Sequence, residues 1–268
     1  MIKTLTNMLR QDRERFTIPR SVQQAIPIRR IWPDGIFQVG NKFSKCVRFS
    51  DINYAIASKA DKQEMFLDYS EILNSLDVGA TTKITISNRR LNKKQFEESI
   101  LLPKKNDSLD HFREEYNQML MGKVTSSSNS ILQERYVTVS VHKKDICEAR
   151  AYFARVVSDV SSHLAHMGSH AEELDAAERL RMFHDFFRPG SETAFRFDIG
   201  ETARKGHDFK DYICPDSLEF KKDHFMMDGK YGRVLFLREY ASYIRDSMIS
   251  ELTEMGKTLM LSIDVIPV

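Results

Sequence analysis

Residues 224–268 read HFMMDGKYGRVLFLREYASYIRDSMISELTEMGKTLMLSIDVIPV, and this stretch decides the predicted fold. Its pattern predicts strand, tight turn, strand, helix and strand, because an Asp-Gly pair separates two extended runs and an amphipathic segment follows them. The same order occurs once before, in residues 36–88, where a Gly-Asn pair marks the turn. The matching strands after the two turns are KFSKCVRF (42–49) and KYGRVLFL (230–237). The sequence therefore predicts a ββαβ unit that recurs at the C-terminal end.

This repeat sets the predicted fold class and domain organisation. Strands that form antiparallel hairpins and alternate with helices predict an α+β fold, with a mixed, mostly antiparallel sheet and helices packed on one sheet face. We expect a basic N-terminal arm in residues 1–31, a first α+β lobe in 32–215, and the start of a second ββαβ lobe in 216–268. Because the second unit ends within its last strand, we expect this lobe to be truncated and the chain to be a fragment of a longer polypeptide.

The region between the two units is also patterned. Apolar periodicity predicts a helix in residues 109–121, a strand in 131–142 and a long helix in 145–167. Ser169 and Glu172 stand at capping-box spacing, which predicts that the next helix begins there and ends near Phe187. Residues 191–215 show no regular pattern, so we expect an irregular crossing between the two lobes.

Composition is that of an ordinary globular protein, with 41% hydrophobic residues, 29% charged residues and a net charge of +2 that indicates no particular partner. The cysteines at positions 46, 147 and 214 form neither a CxxC pair nor a disulfide framework, which favours a reducing compartment. No apolar run approaches the roughly 20 residues that span a bilayer, and the N-terminus lacks a secretory signal. We therefore expect a cytoplasmic protein.

Basic residues concentrate in the N-terminal arm, where apolar residues at positions 5, 8 and 9 have helical spacing. This pattern predicts a short amphipathic helix that lies on anionic lipid, or a surface helix that packs on its own domain. The candidate membrane or partner contacts are Lys3, Arg10, Arg13 and Arg15.

A second basic cluster follows the strand of the first unit. Its candidate nucleic-acid contacts are Arg89, Arg90, Lys93 and Lys94. Such runs are more often a solvated face, and this one lacks the interleaved aromatic residues that stack on bases. Direct DNA binding therefore stays an alternative to the leading interpretation.

Three histidines near the end of the long predicted helix are candidate metal ligands: His163, His166 and His170. With Glu172 or Glu173 they would offer nitrogen and oxygen ligands of the types that transition metals accept. Gly168 breaks the helix between the second and third histidine, however, and solvated histidines at a helix C-terminus are the simpler interpretation.

Gly256-Lys257-Thr258 resembles the end of a phosphate-binding loop, but its context is wrong. That loop needs a glycine where this chain has Glu251, and it joins a strand to a helix, whereas here a helix precedes and a strand follows. The sequence also lacks the GxSxG, HExxH, GxGxxG and EF-hand patterns. We therefore predict no catalytic residue, no cofactor-binding residue and no enzymatic activity for this chain.

Two long stretches carry a family resemblance. The run DGIFQVGNKFSKCVRFSDINYAIASKADKQEMFLDYSEILNSLDVGATTKITI (34–86) resembles the N-terminal region of conjugal-transfer ATPases of type IV secretion systems, in the branch found on conjugative elements of Gram-positive bacteria. The segment DGKYGRVLFLREYASYIRDSMISELTE (228–254) resembles the second signature of that region. The resemblance covers essentially the whole chain and lies in long ungapped stretches rather than in a catalytic motif.

The resemblance implies a non-catalytic docking and assembly region of an ATPase that powers DNA or protein transfer across the cell envelope. In that family the N-terminal region docks on inner-membrane components of the machine, at the cytoplasmic face of the membrane. A C-terminal motor domain binds ATP and Mg and hydrolyses ATP as a hexamer. None of the motor residues has a counterpart here, so ATP and Mg are expected only in a motor domain beyond Val268. The alternatives are a nucleic-acid-binding module that uses the basic clusters and a metal-dependent enzyme at the histidine cluster.

Overall fold

The computed structural model describes residues 19–52, 54, 56–90, 101–126, 131–191, 194–239, 242–243, 245–255 and 258–266. In this part of the chain the strands are β1 Arg30–Ile31, β2 Phe37–Val39, β3 Lys42–Phe49, β4 Thr81–Arg90, β5 Ile131–His142, β6 Ala171–Glu173, β7 Leu218–Phe220, β8 Phe225–Met227, β9 Lys230–Gly232 and β10 Leu259–Val265. The helices are α1 Val22–Ala25, α2 Lys59–Asn74, α3 Asp110–Ser126, α4 Ile146–His166, α5 Ala176–Phe187, α6 Ile199–Lys205 and α7 Asp246–Thr253.

Seven of these strands form one antiparallel sheet. Its order is β1-β2-β3-β5-β4-β10, and the short strand β6 pairs with the end of β3 that β2 leaves free. The turn between β2 and β3 contains Gly40 at a φ of 58°, as the Gly-Asn pair predicts. The predicted α+β fold with an antiparallel sheet is therefore confirmed.

The main core lies between this sheet and α4. Alternate residues of a strand face the same side, so Val137, Val139 and Val141 of β5 all point toward α4. Helix α4 packs against these side chains with a stripe of buried residues at helical spacing, which includes Phe153 and Val160. The other side of β5 carries polar or amphipathic residues instead. Because one side of β5 is apolar and the other is largely polar, the sequence of β5 determines which face of the sheet packs against the core.

Helix α5 covers part of the opposite sheet face, which the prediction of helices on one face leaves uncovered. Its side chain Met182 packs on a cluster of Cys46, Tyr136 and Leu174 that lies on this second face. Leu180 of the same helix is fully buried in a further cluster that includes Phe37 of β2. The sheet is therefore covered by helices on both sides, although α5 spans only a part of its width.

The start of α5 differs from the prediction for a physical reason. Ser169 and Glu172 do not cap it, because residues 171–173 pair with β3 and Glu172 forms an ion pair of 2.5 Å with Arg48. The helix begins at Ala176, where Asp175 and Glu178 form a reciprocal capping box. The predicted irregular crossing at 191–215 also contains a regular element, α6, which Asp198 caps.

The predicted arm and first lobe are not separate where the structure describes them. Residues 1–18 of the arm lie outside the described residues. The remaining part contains Ile26 and Ile28, which are buried in the same cluster as Leu180. This end of the arm therefore belongs to the core of the first lobe.

The second ββαβ unit is divided between two sheets. Strands β7, β8 and β9 form a separate three-stranded sheet, with Asp228-Gly229 as the turn between β8 and β9. The last strand, β10, instead pairs along its length with β4, from Leu259 opposite Asn88 to Val265 opposite Thr82. Its apolar residues Leu261 and Ile263 lie beside Ile86 and Ile84. Strand β10 thus lies C-terminal to the predicted boundary at residue 216 but forms hydrogen bonds with the free edge of β4 in the first lobe.

Candidate functional site

Four consecutive apolar side chains after β9, here named the apolar segment (residues 234–237), are open to solvent. Val234, Leu235, Phe236 and Leu237 are each at least 70% exposed. In the first copy of the repeat, KFSKCVRF forms β3 between two neighbouring strands and buries Phe43, Cys46 and Val47. In the second copy only residues 230–232 form a strand. The apolar segment is thus the counterpart of a buried strand, without the neighbours that bury it.

Charge surrounds the apolar segment on both sides. Arg233 precedes it and Arg238 follows it, and both are exposed. An exposed run of large apolar side chains rimmed by polar residues is typical of a protein-binding site. A partner for this segment would therefore combine an apolar strip with acidic residues at its margins. The sequence contains the signal, since VLFL lacks the alternation of a strand with one wet face.

A second feature is a cleft between α5 and the uncovered part of the sheet, here named the α5 cleft. It has a volume of about 640 Å³. Its floor is the polar face of β3, β4, β5 and β10, with hydroxyl groups from Ser44, Thr81, Thr85, Thr138, Ser140 and Ser262. Its roof is apolar, with Met182, Phe183, Phe186 and Phe187 of α5. The cleft separates the side chains of α5 from strands β4 and β10.

Two cations line the α5 cleft without a carboxylate partner. Arg179 is only 5% exposed, and its guanidinium donates hydrogen bonds of 2.7 and 2.8 Å to the carbonyl oxygens of Gly35 and Ser44. The Nζ of Lys42 lies 3.4 Å from the Thr81 hydroxyl. Among the described residues no carboxylate oxygen lies within ion-pair distance of either cation. Burial lowers the pKa of Arg179, as expected for a charge taken out of water.

The neighbouring thiol does not supply the missing negative charge. Cys46 is fully buried, and burial raises the pKa of its thiol above the ordinary value. The thiol accepts a hydrogen bond of 3.3 Å from the Thr138 hydroxyl. Cys46 is therefore neutral at neutral pH, and the positive charge of Arg179 stays uncompensated.

Arg89, which the sequence groups with the nucleic-acid contacts, is engaged inside the protein. Its guanidinium makes two hydrogen bonds to the carboxylate of Glu134, at 2.7 and 3.3 Å, and its side chain is 16% exposed. Glu134 also accepts a hydrogen bond of 3.0 Å from the Tyr136 hydroxyl. Arg89 is therefore held by a carboxylate of the protein itself, and its contact with nucleic acid stays a prediction. Arg90 ends β4, and Lys93 and Lys94 lie outside the described residues.

The three candidate metal ligands are not brought together. The Nδ1 of His163 lies 3.8 Å from a carboxylate oxygen of Glu71, on α2. Asp68 completes a group whose ligand atoms all lie within 4.8 Å of one another. His166 and His170 are exposed and are not members of this group. The sequence missed the carboxylates because they approach from a helix about ninety positions away. A metal at the three histidines stays a prediction.

The remaining candidate contacts cannot be placed. Lys3, Arg10, Arg13 and Arg15 lie in residues 1–18, outside the described part of the chain. Gly256 and Lys257 of the rejected phosphate-loop motif lie outside it as well. Of the helices that the structure describes, none has the length and apolarity needed to cross a membrane.

Three features of the described residues are candidate binding sites: the apolar segment, the α5 cleft and the His163 group. The first offers an apolar surface, the second offers unpaired cations beneath aromatic rings, and the third offers carboxylate and imidazole ligands. No family model matches the chain, and no curated protein matches its sequence.

Proposed function

We propose that this chain is the docking and assembly region of a conjugative-transfer ATPase, and that it has no hydrolytic activity of its own. The observation that carries the proposal is the apolar segment, which is exposed over four consecutive large side chains. This segment lies within residues 228–254, one of the two stretches that resemble the family. A surface of this kind stabilises a protein when a partner covers it, because burial of apolar area is favourable.

The mode of docking follows from the repeat. In the first copy, the equivalent residues 45–49 belong to β3, where they pair with β5 on one side and residues 47–49 pair with β6 on the other. A partner that adds an extended strand beside residues 233–237 would supply the same backbone hydrogen bonds and cover the same side chains. The arginines at both ends of the segment favour a partner strand flanked by acidic residues. We place this contact at the inner face of the cell membrane, with membrane components of a transfer machine and the chain's own motor domain as partners.

The test measures DNA transfer between cells of the source organism. A strain that lacks the gene is complemented with the natural gene, including its motor domain, or with the same gene carrying the double substitution Leu235→Ser, Phe236→Ser. We expect the double variant to fall toward the frequency of the deletion strain, because hot-spot side chains at an interface carry roughly 2 kcal/mol or more each. The matched control is Ile56→Ser, Val78→Ser, which changes two apolar side chains that are equally exposed elsewhere.

Either of two results would overturn the proposal. The deletion strain could transfer DNA at the natural frequency, or the double variant could transfer as well as the control at equal protein level. DNA-binding measurements over a salt range address the alternative function. Tight binding that is lost steeply as salt increases would favour the nucleic-acid-binding module instead.

A further inference from the structure

We propose that the α5 cleft binds a small organic anion with a flat, apolar body. This inference is independent of the docking function, because the cleft and the apolar segment share no residue. It would make the chain a ligand-binding protein as well as a docking region.

The size and lining of the cleft suit such a ligand. A volume of about 640 Å³ lies within the range of roughly 300–1,000 Å³ that is usual for small-molecule pockets. One wall offers hydroxyl groups and amines, and the other offers three phenylalanine rings and a methionine. A ligand with a polar edge and an apolar face would satisfy both walls at once.

The charge of the lining selects an anion. Lys83 and Asp264 lie on the floor as an ion pair at 3.4 Å and neutralise each other. Lys42 and Arg179 have no such partner among the described residues, so the lining has two uncompensated positive charges. A buried cation without an anion is costly, because its lost hydration is offset only by neutral hydrogen-bond acceptors. A bound carboxylate, sulfonate or phosphate group would supply the missing negative charge.

The roof selects an aromatic body. Phe183 is stacked on Phe37. The guanidinium of Arg179 lies over the Phe37 ring, 4.2 Å from the ring centroid. Phe186 also lines the cleft, packs edge-to-face on Phe187 and is 51% exposed. A planar ligand that packs against Phe186 would bury more of this ring and bring its anionic group to Lys42 on the floor and Arg179 on α5.

The experiment compares two fluorescent probes with the full chain. The anionic probe is 8-anilinonaphthalene-1-sulfonate, and the neutral probe is N-phenyl-1-naphthylamine, which has the same rings without the sulfonate. We expect the anion to bind at one saturable site per chain and more tightly than the neutral probe. Equal affinities would overturn the proposal, because they would show that the cations do not contribute.

Variants locate the site and keep the test independent of folding. Arg179 is not changed, because its loss would leave buried carbonyl groups unpaired and destabilise the chain. In its place, Lys42→Met should weaken binding of the anionic probe roughly tenfold, the effect of losing one charge-assisted contact. Lys144→Met removes an exposed lysine outside the cleft and should leave binding unchanged. Phe186→Ser should weaken binding of both probes.

A last comparison excludes the apolar segment as the site of binding. The variant Leu235→Ser, Phe236→Ser should keep the saturable site. Loss of the site in this variant, or equal binding by Lys42→Met and Lys144→Met, would overturn the proposal.

Discussion

At the scale of single residues, Arg179 shows how one side chain joins three parts of the fold. It lies on α5, hydrogen-bonds the backbone at Gly35 and Ser44, and stacks on Phe37. Gly35, whose carbonyl oxygen accepts one of these hydrogen bonds, also lies against the backbone just before α5. Its φ is 74°, and a Cβ at this position would lie 2.0 Å from the Leu174 carbonyl oxygen. The turn and the helix can approach each other only because this position has no side chain.

Replacing Arg179 by Met should lower the free energy of unfolding by about 2–4 kcal/mol, because buried carbonyl oxygens would lose their donors. Urea denaturation checks this expectation. The control is Arg181→Met on the same helix, where the guanidinium lies over the Phe195 ring at 5.8 Å. Its loss should cost less than about 1 kcal/mol. Equal effects of the two variants would contradict the structural role of Arg179.

The three cysteines should differ in reactivity toward a thiol reagent such as dithionitrobenzoate. Cys147 is exposed, whereas Cys46 and Cys214 are buried and their pKa values are raised by burial. We expect one thiol to react rapidly at pH 8 and two to react only after unfolding, because the thiolate is the reactive form. The variant Cys147→Ser should lose the rapid phase entirely, and a second rapid thiol in it would contradict the observed burial.

At the scale of elements, helix and strand boundaries follow the local signals closely where no competing contact intervenes. The strand in residues 131–142 and the long helix match their predicted limits within one residue. Residues 171–173 are different, because the edge of β3 is available to them and the observed N-terminal cap of α5, Asp175, lies six residues after Ser169. Pairing with β3 therefore determines that residues 171–173 form a strand and not the first turn of a helix.

The capping box at Asp175 should have a measurable contribution. Asp175→Ala should lower the free energy of unfolding by about 1 kcal/mol, because the backbone N–H of Glu178 would lose its acceptor. Thermal or urea unfolding checks the effect. Asp175→Asn keeps an acceptor oxygen and should restore most of the stability. If the alanine variant were as stable as the natural chain, Asp175 would not be the N-terminal cap.

At the scale of the whole molecule, several acidic protons are held more tightly in the folded chain than in the unfolded chain. Burial raises the pKa values of the thiols of Cys46 and Cys214 and of the Tyr136 hydroxyl, which the nearby Glu134 carboxylate raises further. The stability from such groups is fully present below their unfolded pKa values, about 8.5 for Cys and 10 for Tyr, and is lost as pH rises above them.

We therefore expect the free energy of unfolding to be constant near pH 7 and to fall progressively between about pH 8.5 and 10.5. Urea denaturation at several pH values measures this dependence. Tyr136→Phe should reduce the fall above about pH 10, because the phenol that ionises only after unfolding is gone. A stability that stays constant over this range, or an unchanged slope in the variant, would contradict the assignment.

The sequence by itself determined the α+β class, the two hairpin turns, and the strands and helices whose pattern is local. Periodicity and turn residues act over a few positions, so they can be recognised without the partners. Only the tertiary structure decided that β10 joins β4, that α5 covers the second sheet face, and that Arg179 and Lys42 line one cleft without a carboxylate partner of their own. These arrangements depend on contacts between positions far apart in the chain, such as the pairing of β10 with the edge of β4 that β5 leaves free.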